Sequence, residues 1–92
     1  MKAILTYTIM KDGEEIEQTR LFDTAESEKI CGIKNGFNYE VKEIYITGKG
    51  IIFTYDKNTK KIEIPNQKEI KKYIGEYEPD KYIKYFGEVE GA

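Results

Sequence analysis

Histidine is absent from this sequence, and cysteine occurs once, at Cys31. The usual general base, the usual activator of a nucleophile and the commonest metal ligand are therefore missing. Cys31 lies beside Ile30 and Ile33 and reads as a small core residue rather than a nucleophile. One cysteine and no histidine cannot furnish a zinc site. Carboxylates are plentiful, and Glu14, Glu15 and Glu17 crowd the Asp12-Gly13 turn. Paired carboxylates do acid–base work only where a cleft separates their pKa values, and a turn leaves them solvated. Asp56-Lys57-Asn58-Thr59-Lys60 begins like a calcium loop. Lys60 stands where an oxygen ligand belongs, the loop glycine is missing, and Gln67 replaces the bidentate glutamate. Gly48-Lys49-Gly50 lacks the spacing and the following Ser/Thr of a phosphate loop. The expectation is a non-enzymatic chain with no metal and no cofactor.

The conspicuous surplus is tyrosine, with eight residues. Tyr7, Tyr39 and Tyr73 are expected at the core edge, ring inward and hydroxyl in water. Tyr45, Tyr77, Tyr82 and Tyr85 are less easily all buried. Tyrosine is enriched at the energetic centres of protein interfaces, and Tyr77, Tyr82 and Tyr85 are flanked by Glu76, Glu78 and Asp80. The candidate protein-binding residues are thus Tyr77, Tyr82 and Tyr85, together with Glu14, Glu15 and Glu17. The alternative is single-stranded nucleic acid, stacked on Tyr45 and neutralised by Lys57, Lys60 and Lys61 within the lysine-rich stretch 57–72. The lone arginine, Arg20, and the net charge of −2 weigh against it.

Charge is unevenly spread: −5 over Lys11–Glu28, +4 over Lys57–Lys72 and −3 over Glu76–Ala92. Such polarity favours steered association. The functional expectation is a small protein-binding module that modulates or inhibits a larger protein. Fourteen lysines against one arginine, beside fourteen isoleucines, suggest an AT-rich genome. A low-GC bacterium, its phages or its mobile elements would fit. Size and composition alone draw the analogy with inhibitors of host defence nucleases, such as anti-CRISPR proteins.

These residues must be held by some scaffold. Asp12-Gly13 is a strong two-residue hairpin signal. It pairs Ile9 with Ile16, Tyr7 with Gln18, Leu5 with Arg20 and Ala3 with Phe22, leaving Ile4, Thr6, Thr8 and Met10 on a polar face. Phe37–Ile64 reads as three further strands. Two-residue loops at Gly48-Lys49 or Lys49-Gly50 both put Ile44, Ile46, Ile51 and Phe53 on one face. A four-residue loop at 56–59 sets Phe53 opposite Ile62 and Ile51 opposite Ile64. The other face, with Tyr45, Ile52 and Thr54, reads as mostly wet. Phe37, Tyr39 and Val41 have the opposite parity to Ile44, so a bulge near Lys42-Glu43 is expected.

Asp23 with Glu26 forms a capping-box pattern, which favours a short helix from Thr24 to Gly32 or Asn35-Gly36. The rival reading is a strand over Lys29–Lys34. Asn66 caps a helix from Gln67 to about Ile74, stopped by Gly75. Pro79 opens a second helix, Pro79–Phe86, closed by Gly87. The fold class is α+β. The expected architecture has two layers, a single antiparallel sheet of about five strands in the order ββαβββ, one short helix between the hairpins, and one or two C-terminal helices on one face. Residues 1–92 read as one domain, with 88–92 frayed. No apolar run reaches the ~20 residues of a membrane span, no signal peptide is evident at the start, and a cytoplasmic location is expected.

Overall fold

The computed structural model describes residues 1–92 as an α+β fold with two antiparallel sheets. Strands β1 (Lys2–Lys11) and β2 (Glu14–Asp23) form a two-stranded ribbon. Strands β3 (Glu28–Lys34), β4 (Glu40–Ile46), β5 (Ile52–Asp56) and β6 (Lys61–Glu63) form a second sheet in chain order. Helices α1 (Gln67–Tyr77) and α2 (Pro79–Phe86) follow. The ribbon covers one face of the four-stranded sheet and the helices cover the other. The expected single sheet and two layers are corrected accordingly.

The ribbon has the register that Asp12-Gly13 dictates, from Lys2 opposite Asp23 to Lys11 opposite Glu14. Both turn residues have positive φ, 52° and 79°, as a type I′ turn requires. Its inner row, Ala3, Leu5, Tyr7 and Phe22, packs on Phe53 and Ile62, with Tyr45, Ile51, Tyr55 and Ile64 around them. No hydrogen bond joins residues 1–23 to residues 28–92, so this attachment is entirely side-chain packing.

The expected face of Ile44, Ile46, Ile51 and Phe53 is split by the β4–β5 turn. Thr47 and Ile51 close a three-residue loop, Thr47 N–H donating to the Ile51 carbonyl at 2.9 Å, and Gly50 takes φ +84°. This is a turn followed by a left-handed bulge residue, and the extra residue shifts the register by one. Tyr45 now faces Phe53 and Ile46 faces Ile52. Ile44 and Ile52 join Ile30, Cys31, Ile70 and Ile74 under the helices, while Phe53 lies under the ribbon. Neither face is wet, and Ile52, Phe53 and Thr54 are consecutively buried. Such a run is the mark of a strand covered on both sides. The β5–β6 loop spans 57–60 and sets Tyr55 opposite Ile62, which keeps Ile62 on the Phe53 face.

The favoured helix over 24–34 is also corrected. Asp23 does cap a turn, its carboxylate accepting from the Ala25 N–H at 3.0 Å, but the turn is one 3-10 unit, Thr24–Glu26. The chain then extends into β3, where Ile30, Cys31 and Ile33 suit a pleated surface. Ile30 is an extra residue between the pairs Lys29–Tyr45 and Cys31–Ile44, so two consecutive side chains reach the helical core. Val41 is the extra residue on β4, one position before the expected bulge.

Asn66 caps α1 as its position suggests, accepting from the Glu69 N–H at 3.0 Å. Gly75 does not stop α1. An added Cβ there would meet the Tyr82 ring at 3.3 Å, so the glycine lets α2 pack closely and α1 continues to Tyr77. Gln67 ties α1 to the sheet. Extending the β5–β6 register puts Pro65 opposite Ile52, and Pro65 has no N–H to offer. The Gln67 side chain substitutes, accepting from Ile52 N–H at 2.8 Å and donating to the Ile52 carbonyl at 2.8 Å.

Candidate protein-binding surfaces

The type I′ turn and the long ladder behind it present Glu14, Glu15 and Glu17 at the free end of the ribbon, all exposed. Strand alternation puts Glu15 and Glu17 on the outer face and Glu14 on the inner row. None of the three joins an ion pair; those present use Glu40, Glu43 and Glu63. With exposed Asp12 they concentrate unneutralised negative charge on one end of the arm.

The three helical tyrosines are not one surface. Tyr77 is exposed and lies against Tyr73, ring centroids 4.7 Å apart. Tyr82 is half-buried over Gly75 and meets Phe86 edge-on at 5.2 Å. Tyr85 packs against the helical core, with the Lys84 ammonium 5.2 Å from its ring centroid. Tyr82 and Tyr85 therefore hold α2 down, and Tyr77 is the one that offers its ring outward.

The residues of the nucleic-acid alternative are also dispersed. Tyr45 stacks on Phe53, centroids 5.4 Å apart and planes at 13°, on the ribbon side of the sheet. Burial raises its phenol pKa, with Glu43 adding to the effect. Strand alternation places Lys61 on the opposite face. Lys57 is paired with Glu40 at 3.3 Å, and Lys60 occupies the β5–β6 turn.

Elsewhere the ionisable groups serve local structure. Glu40 accepts from Lys29 at 2.6 Å, which holds the Glu40 carboxyl below its usual range and the Lys29 ammonium above its own. Backbone N–H groups of Thr59 and Asn58 lower the Asp56 pKa across the turn. Burial raises the Cys31 thiol. No group of three or more Cys, Asp or Glu side chains is placed to hold a metal ion. No helix is long and apolar enough to cross a membrane.

Tyr39, expected at the core edge, is instead exposed, beside Phe37. Phe37 and Tyr39 are 82% and 71% exposed in the β3–β4 loop, where the Asn35 side chain accepts from both their N–H groups. Ile4, Leu21 and Met10 are exposed on the outer face of the ribbon. This is the face to which the alternation with Leu5, Ile9 and Phe22 assigns them. No protein-family description, curated protein or solved structure matches the chain.

Proposed function

We propose that the chain is a small non-enzymatic module that binds and modulates a larger protein, meeting it with the acidic end of the ribbon. The observation that carries this reading is the set Glu14, Glu15 and Glu17, exposed and unpaired on a hairpin whose register is fixed along its whole length. Charge held on a stiff arm steers encounter with a basic surface and sets its orientation. Tyr77, with Glu76 and Glu78 beside it, is a second candidate contact. The compositional analogy extends the proposal to an inhibitor of a host defence nuclease, whose nucleic-acid groove would supply the basic surface.

The test is capture of a partner from a low-GC bacterial lysate, followed by binding kinetics with the purified pair. Charge reversal by Glu14→Lys, Glu15→Lys and Glu17→Lys should lower the association rate at least about tenfold at low salt and reverse the sign of its salt dependence. Unchanged kinetics in the reversed variant refute the site. Reproducible chemical turnover by the purified protein refutes the whole reading.

A further inference from the structure

The edges of the two sheets are treated differently. The outer edge of β3 is interrupted by the Ile30 bulge, and the Ile30 carbonyl accepts from Lys81 Nζ at 2.6 Å. The opposite edge strand, β6, is three residues long and is followed by Pro65. β2 carries Glu14, Glu15, Glu17, Arg20 and Asp23. These are the usual guards against edge-to-edge pairing. β1 carries only Lys2 and Lys11, one at each end: between them Ala3–Met10, AILTYTIM, contains no charge, no proline and no glycine, and β1 bonds only to β2.

The hairpin fixes which β1 groups are free. In a two-residue hairpin the residues flanking the turn exchange hydrogen bonds, and bonded pairs then alternate. Lys11, Ile9, Tyr7, Leu5 and Ala3 thus bond to β2, while Met10, Thr8, Thr6, Ile4 and Lys2 direct their N–H and C=O groups outward. The outward set is also the outer row of side chains. Its two apolar members, Ile4 and Met10, are 72% and 66% exposed.

We propose that β1 is a self-association edge, on which a second copy of this chain pairs antiparallel about Tyr7. In that register Ile4 meets Met10 of the second copy, Thr6 meets Thr8, and Lys2 meets Asp12. Each apolar residue of the outer row finds an apolar partner, and the one charged pair is of opposite sign. Moving the centre to Thr6 sets Lys2 against Met10; moving it to Thr8 sets Ile4 against Asp12. A one-residue shift pairs outer side chains with inner ones. Charge and apolar complementarity therefore select one register. A groove of about 900 Å³ runs beside this edge, with Leu5–Ile9 on one wall and Ile62, Ile64 and Phe86 on another. The pairing leaves Glu14, Glu15 and Glu17 free, so it stands or falls separately from the acidic-tip reading.

Sedimentation velocity over a concentration series up to about 1 mM tests the proposal. Wild type should show a reversible dimer. Ile4→Glu and Met10→Lys, both at exposed positions, should each weaken it roughly tenfold, since each pair occurs twice across the two-fold axis. The double variant puts opposite charges across the same pairs and should restore association to within a few-fold of wild type. Circular dichroism and melting temperature monitor the fold in every variant. A wild type that stays monomeric overturns the proposal, as does a dimer indifferent to both substitutions. Failure of the double variant to recover overturns the register about Tyr7.

Discussion

Phe22→Ala should release the ribbon from the rest of the molecule. Phe22 is the one fully buried residue of the ribbon, at 1% exposure. Its ring meets Tyr7 edge-on at 5.8 Å and Phe53 edge-on at 5.3 Å. Truncating a buried phenylalanine costs about 3–5 kcal/mol, against a total of roughly 5–14 kcal/mol for a domain of this length. The melting temperature should fall by about 12 °C or more. The loss should also be local. No hydrogen bond holds the ribbon to the sheet, and an isolated two-stranded hairpin is marginal in water. Hydrogen exchange should therefore show β1 and β2 amides losing protection well ahead of those in β4 and β5. A drop of only a degree or two, or uniform loss across both sheets, would refute the reasoning. Phe53→Ala removes the other half of the contact and should cost a similar ~3–5 kcal/mol, with Tyr45 losing its stacking partner as well.

Gln67→Ala strands the Ile52 backbone pair and should cost about 1–3 kcal/mol in denaturant titration; a change within error would mean that water replaces the side chain. Cys31, buried with its thiol pKa raised, should react with a thiol reagent at alkaline pH only as fast as the fold opens, so labelling as fast as in denaturant refutes its placement. The Lys29–Glu40 pair stabilises only while both are charged. Its contribution is present above the ordinary glutamate range, lost as pH falls through the lowered Glu40 value, and lost again as pH rises through the raised Lys29 value. Lys29 is 41% exposed, so screening limits the contribution to about 0.2–1 kcal/mol. The stability gap between wild type and Glu40→Gln should close on acidification, and a gap unchanged from neutral to about pH 2 would contradict the assignment.

The ribbon was legible in the sequence because turn chemistry and alternation agree there: Asp12-Gly13 admits one loop, and that loop lines up Ile9 with Ile16. The β4–β5 turn was not. Gly48 and Gly50 permit loops of different length, and the choice of three residues reverses every side chain that follows. The compensating clue was Ile51-Ile52-Phe53, a run too continuous for a strand with one wet face. At 24–34 the cap signal of Asp23 was real, but the β-branched residues beyond it favoured extension. Of the candidate surface, the exposure of Glu14, Glu15 and Glu17 follows from their place at a turn. The burial of Tyr82 does not, since it depends on the absence of a side chain at Gly75 and on Phe86 one turn later. Phe37 and Tyr39 read as the start of a strand, with Tyr39 at the core edge, and are loop residues whose N–H groups Asn35 gathers.

The clasp between Lys81 and the Ile30 carbonyl joins positions 51 residues apart. During synthesis β3 is made before α2, so its edge has no cover until α2 has been added. Through that interval Ile30 and Cys31 remain open to solvent and to other nascent chains. Covering the edge depends on arrival of Lys81 together with Tyr82, Tyr85 and Phe86. Ribosome stalling before α2 would leave all six strands without the cover of α2 over the β3 edge, the kind of species a cell's chaperones and proteases are equipped to find.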